Sequence, residues 1–172
     1  SEGTVGLDFT TTAPTKNGPL TLLLQASGQR DYVNTGVSWK IDRDRAYEGE
    51  VGAVTTFSRE DDGLLSTRVN LLPGTLTFND STWIVNPAKI TVEGSRDITV
   101  DGVNVHRHNQ FVKISGRVSD DATSLLTLDL RNFSLDYLFE SLGIDKVMLG
   151  GDASGTFYAS RLLSPEPVLE TP

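Results

Sequence analysis

The segment LTFNDSTWIVNPAKITV, Leu76 to Val92, decides the fold. Apolar side chains return at every second position, and Asn, Asp, Ser and Pro interrupt them at short intervals. A repeat of two is that of a strand with one apolar face; a helix would repeat at 3.6. The segment therefore reads as two strands, near Thr75–Phe78 and Thr82–Val85, joined by a polar turn. Asn86-Pro87 breaks the pattern, because the residue before a proline is driven from helical geometry and proline donates no hydrogen bond. A third strand follows, with Ala88, Ile90 and Val92 on one face.

The same rhythm extends in both directions. Val5, Leu7 and Phe9 alternate with Gly6, Asp8 and Thr10, and TTAPTKNGP (Thr11 to Pro19) reads as a turn with Asn17-Gly18 at its tip. Leu20, Leu22 and Leu24 alternate, as do Val37, Trp39 and Ile41. Val51–Arg59 and Leu65–Leu71 flank a REDDG turn. Ile98 and Val100 share a face, Asp101-Gly102 reads as a tight turn, and Val103 and Val105 open the next strand. Val112, Ile114 and Val118 alternate, SDDATS turns the chain, and Leu126, Leu128 and Leu130 close the run. SLDYLFESLG, Ser134 to Gly143, departs from this pattern: Leu135, Leu138, Phe139 and Leu142 have helical spacing, with Ser134 as N-cap and Gly143 beyond the C-terminus. VMLGGDASGTFYAS reads as a final Gly-rich strand pair. The expectation is an all-β antiparallel meander of about a dozen short strands with one short amphipathic helix. Its apolar faces either cover each other in a closed β-sandwich or line an open, curled sheet.

The chain of 172 residues suits one domain, residues 1–163, with 164–172 (SPEPVLETP) as a linker-like tail. It is read as one module of a longer protein. Apolar residues are 37% and the formal net charge is −8, a balance that disfavours nucleic acid. With no cysteine there is no disulfide and no thiolate chemistry. No stretch approaches the roughly 20 apolar residues of a membrane-spanning helix.

Few residue groups suggest chemistry. His106 and His108, two apart on a strand, would share a face and offer two imidazoles to a metal; the plain reading is two solvated histidines beside a hairpin. Asp42/Asp44, Glu60-Asp61-Asp62 and Asp120-Asp121 read as solvated turn formers, and a carboxylate-pair enzyme would need two of these turns to converge on a cleft. GGDASG lacks the following helix of a phosphate cradle. Asn79-Asp80-Ser81 and Asn132-Phe133-Ser134 fit glycosylation sequons. No Ser-His-Asp set can be placed, and no catalytic residue, metal or cofactor is assigned.

One resemblance gives a direction. FNDSTWIVNPAKITVEG, DITVDGVNVHRHNQFVKISGRVSDD, LLTLDLRNFSLDYLFESLG and GGDASGTFYAS occur in that order. Together, roughly over Val69 to Ser160, they resemble the TamB-like proteins, the inner-membrane subunits of the translocation and assembly module, which are related to AsmA-like proteins. The resemblance implies a non-enzymatic module in the periplasm of a Gram-negative cell envelope, within a protein anchored in the inner membrane. It implies a β-sheet curled into a taco-like groove with an apolar inner face. Implied partners are phospholipid or acyl chains, an outer-membrane barrel assembly partner and neighbouring modules of the same chain. The inner face would be Ala88, Ile90 and Val92; Ile98 and Val100; Val112, Ile114 and Val118; and Leu126, Leu128 and Leu130. The rival reading is a sandwich that binds carbohydrate or serves adhesion, with Trp39, Trp83 and Tyr158 on one flat face.

Overall fold

The computed structural model describes residues 3–15, 17–42, 46–60, 63–94, 96–121, 123–134, 152–163 and 168–170. These form thirteen strands in one antiparallel sheet. They are β1 (Val5–Thr15), β2 (Gly18–Gly28), β3 (Tyr32–Ile41), β4 (Tyr47–Arg59), β5 (Leu65–Leu71), β6 (Gly74–Phe78), β7 (Ser81–Val85), β8 (Ala88–Glu93), β9 (Asp97–Arg107), β10 (Gln110–Val118), β11 (Leu125–Ser134), β12 (Asp152–Ser160) and β13 (Val168–Glu170). The order is a meander in which successive strands pair, except that β5 and β6, and β7 and β8, follow one another end to end instead of side by side. β5–β6 and β7–β8 act as two long strands of one hairpin: β5 pairs β8, and β6 pairs β7. β4 borders both β5 and β6, and β9 borders both β7 and β8. No second sheet faces the first among the described residues, so the closed sandwich is not the architecture found; the open, curled alternative is.

Turn chemistry sets these boundaries. Asn79 and Asp80 both have positive φ (49° and 64°) between Phe78 and Ser81, which are paired. Two left-handed residues in a two-residue loop suit the right-handed twist of the flanking strands, and Asn and Asp tolerate that conformation. The Asp80 carboxylate also accepts the Ala46 N–H at 2.9 Å, tying the hairpin tip to β4.

Three expectations need correction. TTAPTKNGP is mostly strand: β1 runs through Thr15 and β2 begins at Gly18. Pro14 and Pro19 lie opposite each other. Neither has an N–H, so theirs is the pair that exchanges no hydrogen bonds, and two prolines cost this ladder nothing. Asp101-Gly102 is no turn. β9 passes straight through it, and Ile114 and Gly116 pair with Val103 and Val100, so two residues of β9 bulge opposite one of β10. Gly102 takes the left-handed conformation at the bulge (φ 63°). In the tail, Val168–Glu170 pairs with β12 instead of serving as a linker. The helix expected over Ser134–Gly143 lies outside the described residues apart from Ser134, which ends β11 opposite Asp152.

Candidate functional site: the apolar face of the sheet

Residues directly opposite in an antiparallel ladder point to the same side. Following the register across the sheet therefore assigns each face. Val69, Ile90, Val100, Gly116, Leu126 and Ala159 form one row across β5, β8, β9, β10, β11 and β12. Val92, Ile98 and Val118 form the row on one side of it. Val103, Ile114, Leu128 and Phe157 form the row on the other. Beyond that, Val85, Val105, Val112 and Leu130 continue the surface. Towards the N-terminus, Phe9, Leu24, Val37 and Val51 line up across β1 to β4, while Leu71 faces Ala53 and Ala88. One apolar surface thus runs across the sheet from β1 to β12.

All eleven residues expected on the inner face lie on this surface, and each is half-buried. Strand parity located them, but it missed much of the surface: Leu7, Phe9, Leu24, Val37, Val51, Leu71, Val103, Val105 and Phe157 belong to it as well. Their alternation was visible. What was not visible was the pairing register that puts odd positions of β3 beside even positions of β2. The face also changes parity at Leu72-Pro73, between β5 and β6, at Asn86-Pro87, between β7 and β8, and at Asp101-Gly102, within β9.

The apolar surface is curved and, among the described residues, sparsely covered. Trp83 on β7 and Phe133 on β11 meet edge to face, ring centroids 5.6 Å apart. β9 and β10 lie between those strands, and a flat sheet would separate them by about 14 Å at the usual strand spacing. The sheet therefore bends toward its apolar side there. Among the described residues, Ile41, Trp83 and Val85 are the buried apolar side chains. All three lie at one margin, where Tyr47 and Phe78 also pack at 5.1 Å. Trp39 belongs to that margin and lies over Gly49, where an added Cβ would sit 2.3 Å from the indole. The result is a strip of half-exposed aliphatic side chains bordered by an aromatic wall.

The opposite face is polar. Gln25 donates to Asp8, Thr156 to Asp129, and Arg117 pairs with Asp97 across β10 and β9. Its shallow depressions, of about 440 and 650 Å³, are lined by residues such as Thr10, Lys40, Glu48 and Thr75, and Lys89, Glu93, Arg117 and Thr123. Tyr158 neighbours Phe157 and so points to this polar side, away from Trp39 and Trp83. The flat platform of three aromatic residues is not formed.

The remaining candidates have structural explanations. The His106 ring shares a hydrogen bond with the Asn86 side chain at 3.1 Å, while His108 occupies the β9–β10 turn with φ 53°; they do not present two imidazoles to one point. Asp120 accepts from Arg96 at 3.2 Å. Asp121 accepts from the Thr123 N–H and hydroxyl, which hold its carboxyl below the usual range. Asp97 is lowered likewise, chiefly by its hydrogen bond from Arg117. Asp44, Asp61 and Asp62 lie outside the described residues, as do Gly150 and Gly151 of GGDASG; Asp42 and Glu60 end strands or turns at the surface. No family model, curated protein or solved structure matches the chain.

Proposed function

We propose that this chain is a non-enzymatic module of a TamB-like envelope protein, periplasmic, in which the apolar face of the curled sheet holds acyl chains of phospholipid. The carrying observation is a single apolar face continuous over the meander, with no second sheet against it among the described residues. A sheet that buried this face in a core would leave its aliphatic residues inaccessible; here Ile90, Val100, Ile114, Leu126 and Leu128 are all half-exposed. An acyl chain suits such a strip because it needs no polar recognition. Each methylene taken from water contributes about 0.8 kcal/mol, so a chain of a dozen or more gains roughly 10 kcal/mol before the costs of association.

The two tryptophans give a direct test. Trp39 and Trp83 both belong to the apolar side, opposite Gly49 and Leu76. Acyl chains brominated along their length quench a neighbouring indole. Saturable quenching by brominated phospholipid, absent with the unbrominated lipid, supports the reading. Unchanged fluorescence, together with no lipid recovered from the purified chain by native mass spectrometry, refutes it.

A further inference from the structure

Among the described residues no strand lies against the outer edge of β1. Because Pro14 and Pro19 face each other without exchanging hydrogen bonds, alternation fixes the rest of the β1–β2 ladder. Odd residues of β1 bond to β2. The N–H and C=O groups of Gly6, Asp8, Thr10 and Thr12 point outward, where no strand pairs with them among the described residues.

Sheets usually protect such an edge with a lysine, a bulge or a very short strand. β1 has no lysine and no bulge, and its one protecting proline, Pro14, stands next to the end of the strand and leaves the even positions before it free to pair. It is 11 residues long, pairs with β2 without a register shift, and carries one charged residue, Asp8, which Gln25 engages on the polar face. It also leaves Val5, Leu7 and Phe9 unusually exposed, at 76%, 54% and 48%.

We propose that this edge pairs antiparallel with β1 of a second copy, about a two-fold axis at Thr10. That register overlaps all of β1 with itself. Thr10 faces Thr10, Asp8 faces Thr12, Leu7 faces Ala13 and Phe9 faces Thr11. No like charges oppose. The outward-bonding residues are all even-numbered, so even pairs with even across the axis, and about eight main-chain hydrogen bonds form. Odd then pairs with odd, and the apolar faces of both copies lie on the same side. The dimer would double the apolar surface without interrupting it.

Analytical ultracentrifugation of the purified chain from about 1 µM to 1 mM tests this. The expected result is a concentration-dependent dimer. Thr10→Pro removes one outward N–H, and Thr10→Lys sets two ammonium groups opposite each other; each should raise the dissociation constant at least tenfold with an unchanged far-UV circular dichroism spectrum. An equimolar mixture of Thr10→Lys and Thr10→Glu should recover the dimer as a mixed pair. A wild-type monomer throughout the range overturns the proposal, as do variants that dimerise as well as wild type. A Lys/Glu mixture no tighter than its components overturns the two-fold at Thr10.

Discussion

Trp83 and Phe133 touch although two strands separate the strands that carry them. This contact is local evidence of curvature, and it joins the tip hairpin β6–β7 to β11. It is also the place where the sheet comes nearest to having a core, since Trp83 is only 2% exposed.

Trp83→Ala should therefore cost about 3–5 kcal/mol in urea denaturation, the range for deleting a large buried aromatic. Phe133→Ala should cost less, because the ring is half-buried. A double-mutant cycle should return a coupling of about 0.5–1.5 kcal/mol. Additive effects would mean the two rings do not meet in solution.

Face assignment predicts a contrast between neighbouring residues. Ile90→Asp with Leu128→Asp puts carboxylates on the apolar strip and should abolish lipid co-purification while the chain stays soluble. Thr91→Asp with Thr127→Asp makes the same chemical change one residue away on the polar face and should leave bound lipid unchanged. Lipid extraction with mass spectrometry reads both. Equal loss in the two pairs would disprove the assignment of faces.

Gly49→Ala tests how Trp39 is seated. The added methyl would overlap the indole, and the ring would have to move off the strand. Overpacking of this kind typically costs about 1–3 kcal/mol. The change should lower the denaturation midpoint and shift the tryptophan emission maximum. Gly36→Ala, where a Cβ meets nothing within 4 Å, is the control and should leave that maximum unchanged.

Stability should fall in acid for an identifiable reason. Asp97 and Asp121 both have folded-state pKa values below the ordinary carboxylate value, Asp97 through Arg117 and Asp121 through Thr123. A group depressed on folding contributes its stability above its unfolded pKa, near 4, and loses it as pH drops through the folded value. Melting temperature should therefore decline between about pH 5 and pH 3, modestly because Asp121 is exposed and Asp97 is only half-buried. Asp97→Asn should flatten that decline and lower the melting temperature slightly at pH 7.

Much of the architecture was legible because a single sheet with one apolar face writes period two into nearly every segment. The strands around Asn79-Asp80 and on either side of Asn86-Pro87 fall within a residue or two of where the pattern puts them. The errors share a cause. Pro14, Pro19 and Asp101-Gly102 are turn formers by local chemistry, yet their neighbours override that preference: two prolines share a pair that exchanges no hydrogen bonds, and one Gly fits a bulge. The site was half legible. Parity found the apolar residues of β8 to β11, but joining them to Phe9, Leu24, Val37 and Val51 required a register that only long-range pairing supplies.

The parity switches at Leu72-Pro73, Asn86-Pro87 and Asp101-Gly102 occur in three strand positions that lie side by side in the sheet. They divide these strands into two reading frames, one on each side of a shared seam. A one-residue insertion or deletion elsewhere in a strand would turn every later side chain of that strand inside out. Along the seam the phase is already reset, so length changes there can be absorbed by a neighbouring irregularity. Any chain that keeps this groove while drifting in sequence would be expected to gather its insertions and deletions on that line.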